Sequence, residues 1–122
     1  MTNKITIMLY VENVEENASF WKHYFKAEEV ARVELGASVT ITLALSLYCH
    51  FQLFDNEFIR KHSPEVADNK PSILIDTPNF EEIHDQLEKD DYYTGEYVYQ
   101  GNFRTFNFRD NVGNYYAVRE MN

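Results

Sequence analysis

One order of elements occurs twice along this chain, and that repetition restricts the fold more than any other feature. In the first stretch, Ile5-Thr6-Ile7-Met8-Leu9-Tyr10-Val11 alternates strongly apolar with intermediate side chains, the period of a half-buried strand. Asn13 follows as a helix N-cap, with Glu15 and Glu16 in the first turn, where the helix dipole favours acids. Val14, Ala18, Trp21 and Phe25 then recur at helical spacing, which predicts a helix over 14–26. Strands are predicted at Glu28–Leu35, Ser38–Leu45 and Tyr48–Phe54, with Gly36 in the first turn. The second stretch repeats the order: strand Ser72–Asp76, cap Asn79, acids Glu81 and Glu82, and the apolar stripe Phe80, Ile83, Leu87. Strands at Tyr93–Gln100, Phe103–Arg109 and Asn114–Glu120 complete it, with Asp110 to Asn114 as the last turn. The two caps stand 66 residues apart. The expectation is an α+β fold of two βαβββ units, at about 4–54 and about 71–120. A connector over about 55–70 separates them; in it Phe58, Ile59 and His62 form one helical turn that Pro64 ends.

At 122 residues the chain is expected to be one domain, since two would each fall below a comfortable core size. Cys49, the single cysteine, rules out an internal disulfide and reads as a buried inert thiol in an apolar run. The formal net charge of -9 argues against nucleic acid as a partner, because phosphate binding needs clustered Lys and Arg. It permits a cationic ligand; the plainer alternative is an acidic surface that keeps a cytosolic protein soluble. Ile5 to Val11 is too short to span a bilayer and no signal-peptide pattern is present, so a cytoplasmic protein with no membrane partner is expected.

Three segments resemble the vicinal-oxygen-chelate superfamily, which includes glyoxalase I, extradiol dioxygenases, fosfomycin-resistance enzymes and bleomycin-resistance proteins. They are Tyr10-Val11-Glu12-Asn13-Val14 with Ser19-Phe20-Trp21-Lys22, then Leu74-Ile75-Asp76 through Asn79-Phe80-Glu81-Glu82-Ile83, then Phe108-Arg109-Asp110-Asn111-Val112-Gly113-Asn114. The last is similar to the family's F-x-D-P-x-G-N turn, with Asn111 in place of proline. The resemblance implies curved mixed sheets whose concave faces form a cup for a small molecule, in a homodimer. It also implies where a metal would be held, and those positions fall on Thr6, Ser72 and Ala117. Two hydroxyls and a methyl group are not the converging His, Glu or Gln donors that a divalent ion needs. Only His50 and Gln52, on the fourth strand, could offer one, so no metal or other cofactor is expected.

Alternation assigns the faces. Ile5, Ile7, Leu9 and Val11, Cys49, Phe51 and Leu53, Ile73 and Ile75, and Tyr116 and Val118 are expected under the helices. The expected ligand-binding lining is Met8, Tyr10, Tyr48, His50, Gln52, Leu74, Asp76, Tyr115 and Arg119, a mixture of aromatic and soft groups with a few polar handles. The plainer alternative is the wet face of an antiparallel sheet. His23, His62 and His84 are read as surface or partly packed residues, and Tyr97, Tyr99, Phe103, Phe106 and Phe108 as sheet core. Catalytic residues are not assigned. The leading reading is a metal-free binder of a cationic or aromatic, antibiotic-like molecule, as in the bleomycin-resistance branch. The alternatives are a lyase, isomerase or dioxygenase with an atypical metal site through His50, and a structural or regulatory module.

Overall fold

The computed structural model describes residues 3–121. The chain divides into two compact units, the first ending at Pro71 and the second beginning at Ser72. In the first unit the order is β1 (Ile5–Val11), α1 (Val14–Phe25), β2 (Glu28–Leu35), β3 (Ser38–Ser46), β4 (Cys49–Asp55), α2 (Asn56–His62) and a 3-10 turn at Pro64–Val66. The second has β5 (Leu74–Thr77), α3 (Phe80–Lys89), β6 (Val98–Gln100), β7 (Phe103–Arg109) and β8 (Tyr115–Glu120). Each unit holds one four-stranded mixed sheet, ordered β1-β4-β3-β2 and β5-β8-β7-β6. In both, the first and last strands pair in parallel and the others antiparallel. The helix between the first two strands makes that parallel pairing possible, because parallel neighbours need a long crossover.

Asn13 caps α1 as its residue type requires, its Oδ1 accepting from Glu16 N at 3.0 Å. The helix lays Val14, Ala18 and Trp21 on the sheet. Trp21 is fully buried, edge-on to Phe51 at 4.9 Å, and donates Nε1 to Asn17 Oδ1 at 3.1 Å. Leu9, Leu53 and Ile41 form one row of that core face, and Phe51 with Leu43 the next. In the second unit Phe80, Ile83 and Leu87 of α3 are buried, as are Phe106, Phe108, Tyr116 and Val118 of the sheet.

Several expectations shift. Ile5 is 63% exposed rather than packed under a helix, because it opens β1 beyond the reach of α1. Tyr48 lies in the β3–β4 turn, outside β4, and its carbonyl accepts from Ile5 N. Ser72 and Ile73 precede β5; Pro71, with no N–H, cannot extend the ladder, and only the Ile73 carbonyl joins it, from Ala117 N at 3.0 Å. The strand expected at Tyr93–Gln100 shrinks to Val98–Gln100. Gly95, which meets the Asn107 carbonyl, leaves a single bridge between Thr94 and Phe108 in place of a ladder. Asn79 holds the cap position of α3 without a side-chain bond to the helix; Thr77 Oγ1 instead accepts from Asn79 N. The connector is more ordered than one turn: Asp55 caps α2, its Oδ1 accepting from Glu57 N at 2.7 Å.

Candidate functional site

Register fixes which side chains share the face of each sheet opposite its long helix. In the first unit, Thr6, His50, Ala44 and Glu28 form one row, and Met8, Gln52, Thr42 and Ala31 the next. Tyr10 and Phe54 begin the third. The connector covers that third row. Tyr10 is buried with Ile59 and Ala67, against half-buried Phe54, Phe58 and Val66, and Lys70 Nζ donates to the Tyr10 carbonyl at 3.2 Å. Tyr10 therefore leaves the expected lining: alternation placed it on the right face, but sequence gave no sign that α2 folds over it.

The uncovered end carries Met8, 52% exposed, with half-buried His50 and Gln52. The Gln52 amide is held by Thr40, donating Nε2 to Thr40 Oγ1 at 3.1 Å, while that hydroxyl donates to the Leu53 carbonyl at 2.9 Å. His50 Nδ1 is buried without a hydrogen-bond partner. A β-bulge between Ala44 and Ser46 and another between Glu29 and Ala31 interrupt the ladders beside it. Tyr48, in its turn, is half-exposed and outside these rows.

In the second unit Leu74, Ala117 and Asn107 form one row, and Asp76, Arg119, Thr105 and Val98 the next. Arg119 grips Asp76 with two bonds, Nε to Oδ1 at 2.6 Å and Nη2 to Oδ2 at 3.2 Å, and its Nη1 reaches Gln100 Oε1 at 3.2 Å. The Asp76 carboxylate raises the Arg119 pKa, so this handle is a neutralised fork rather than a free cation. Tyr115 is exposed; Arg109 donates Nη1 to its hydroxyl at 3.2 Å, and Tyr93 meets it edge-on at 5.9 Å. Arg109, Asn107 and Thr105 were missed as members of this face. Their signal was available, since Phe106 and Phe108 point to the core and the residues that alternate with them, Thr105, Asn107 and Arg109, must point away.

The three positions at which the fold family would hold a metal do not fit one. Thr6 sits opposite His50, giving a hydroxyl and one imidazole. Ala117 sits opposite Leu74, giving no donor, and Ser72 lies before its strand. Among the described residues no three of His, Cys, Asp and Glu converge. What these faces carry is exposed aromatic edges and fixed hydrogen-bonding groups.

No family model and no curated protein matches the chain by sequence. Solved structures do match in fold. TnmS3, an antibiotic binding protein from Streptomyces sp. CB03234, superposes with a TM-score of 0.78 at 13% identity, over 100% of this chain and 98% of that one. A glyoxalase/bleomycin resistance protein/dioxygenase superfamily member from Sphaerobacter thermophilus DSM 20745 gives 0.78 at 16% identity, over 99% and 98%. Lactoylglutathione lyase from Agrobacterium tumefaciens gives 0.75 at 16% identity, over 98% and 94%. With two βαβββ units in order along its length, the chain has the fold of the glyoxalase/bleomycin resistance/dioxygenase superfamily.

Proposed function

We propose that this chain is a metal-free small-molecule-binding protein of the glyoxalase/bleomycin-resistance type that sequesters a cationic or aromatic, antibiotic-like molecule. The reading takes the two units as halves of one domain, in a cytoplasmic homodimer. The observation that carries it is the pairing of exposed soft and aromatic groups (Met8, Leu74, Tyr93, Tyr115) with metal positions that hold no competent donor set. The fold is shared with an antibiotic binding protein, and the net charge of -9 favours cations. The described residues include no helix long and apolar enough to cross a membrane.

Isothermal titration against a panel of cationic glycopeptide and aromatic drugs tests it. At least one should bind, and Tyr115→Ala should weaken that binding by about fivefold, since losing one aromatic contact costs on the order of 1 kcal/mol. Silence across the panel would count heavily against sequestration. The unpartnered Nδ1 of His50 favours a second reading, an enzyme in which that imidazole is a ligand or base. Stoichiometric Mn, Fe, Ni or Zn in the purified protein would turn the choice towards it.

A further inference from the structure

The first unit contains a cavity of about 660 Å³ between the β2–β3 turn and α2, within the size range of small-molecule sites. Leu35 and Phe58 supply its apolar wall, and Ser38, whose Oγ has no hydrogen-bond partner, lies among its lining residues. Its charges are sorted by sign along α2: Asp55 and Glu57 at one end, Arg60 and Lys61 at the other. Complementing the helix dipole accounts for that sorting but not for how the charges are used. Asp55 is engaged as the cap of α2, and Arg60 pairs with Asp68 at 3.3 Å. Glu57 and Lys61 remain. They stand at the i, i+4 spacing at which Glu and Lys ordinarily pair on a helix, yet no ion pair joins them, and both line the cavity.

We propose that this cavity is a second small-molecule site, taking a zwitterion whose ammonium and carboxylate lie at opposite ends of an aromatic or aliphatic body. Glu57 receives the ammonium and Lys61 the carboxylate. Four residues of helix rise about 6 Å along the axis, so a ligand whose charges stand about that far apart suits the pair. The body lies against Phe58 and Leu35. Leu35 and Ser38 continue the face that carries Met8 and Gln52, but Glu57 and Lys61 stand on α2, outside those rows, so variants at these two charges test this site separately from the sequestration reading.

The test is an amide ¹H–¹⁵N titration of the full chain with 4-(aminomethyl)benzoate, with benzoate and benzylamine as single-charge controls. Saturable shifts are expected over residues 35–38 and 57–62, with the zwitterion binding about tenfold more tightly than either control. Glu57→Gln should weaken the zwitterion and benzylamine but not benzoate; Lys61→Met should weaken the zwitterion and benzoate but not benzylamine. Both residues are exposed, so these variants keep the fold. Equal affinity for all three probes, shifts scattered elsewhere, or no saturation at millimolar probe would overturn the proposal.

Discussion

Lys26 shows how far a single residue can depart from what its type prefers. It ends α1 at φ 55°, ψ 32°, the left-handed region, and Ala27 N reaches back to the Trp21 carbonyl at 3.3 Å. A residue with a Cβ is disfavoured there by about 1–2 kcal/mol, and glycine is the usual solution. Lys26→Gly should therefore stabilise the protein by about 1 kcal/mol, read as a rise in the urea midpoint at unchanged slope. The slope matters, because glycine also loosens the unfolded chain and a changed slope would point there instead. Nothing in the sequence marks this position; the helical stripe ends at Phe25 with no glycine beyond it. The opposite case is Asn13, whose type, position and following acids all announced a cap that the structure forms. Asn79 had the same signature, yet its side chain does not cap; nearby Thr77 provides the local hydroxyl acceptor for Asn79 N.

At the scale of elements, β2 is the telling case, an edge strand whose residues are exposed from Glu28 through Glu34. A bulge between Glu29 and Ala31 and a row of charges blunt that edge against pairing with other chains. The same charges tie it to α1: Arg32 forks between Glu29 and Glu15, and Lys22 Nζ reaches Glu29 Oε1 at 2.9 Å. Hydrogen bonds from Arg32, then from Lys22, draw the Glu29 carboxyl down to about 2. Arg32 likewise lowers Glu15. A carboxyl held below its unfolded value of 4.5 contributes stability that is present above that value and lost as pH falls towards about 2. Removing the partner with Arg32→Ala should flatten the fall in melting temperature between pH 5 and pH 2. The effect should be small and should shrink further in 1 M salt, because the network is open to water. An acid limb as steep in the variant as in the parent would show that the network contributes nothing. The long helices and most strands were legible because period-two and helical stripes are local, whereas only Val98–Gln100 of the strand expected at Tyr93–Gln100 forms. The cover that α2 places over Tyr10 was not, since it depends on where Ile59 and Ala67 fold back, which no period encodes.

For the molecule as a whole, the open question is whether its shared fold brings a shared metal. Thr6 and Ser72 are equivalent positions of the two repeats, 66 residues apart, and the strand registers show what lies beside the metal positions in each unit. Thr6 has His50 beside it, whereas the second unit sets Leu74 opposite Ala117. A divalent ion bound by one imidazole and one hydroxyl would keep most of its water and gain little. A resident metal at one hundred times its dissociation constant would stabilise the folded chain by about 2.7 kcal/mol. For a chain of this length that is on the order of 10 °C in melting temperature. Dialysis against EDTA, followed by a thermal scan with and without added Zn or Ni, should therefore leave the transition within about 1 °C of the parent. A fall of several degrees on chelation, restored by one metal and abolished by His50→Ala, would mean that His50 assembles a centre that the strand registers do not provide, and the enzyme reading would replace the binder.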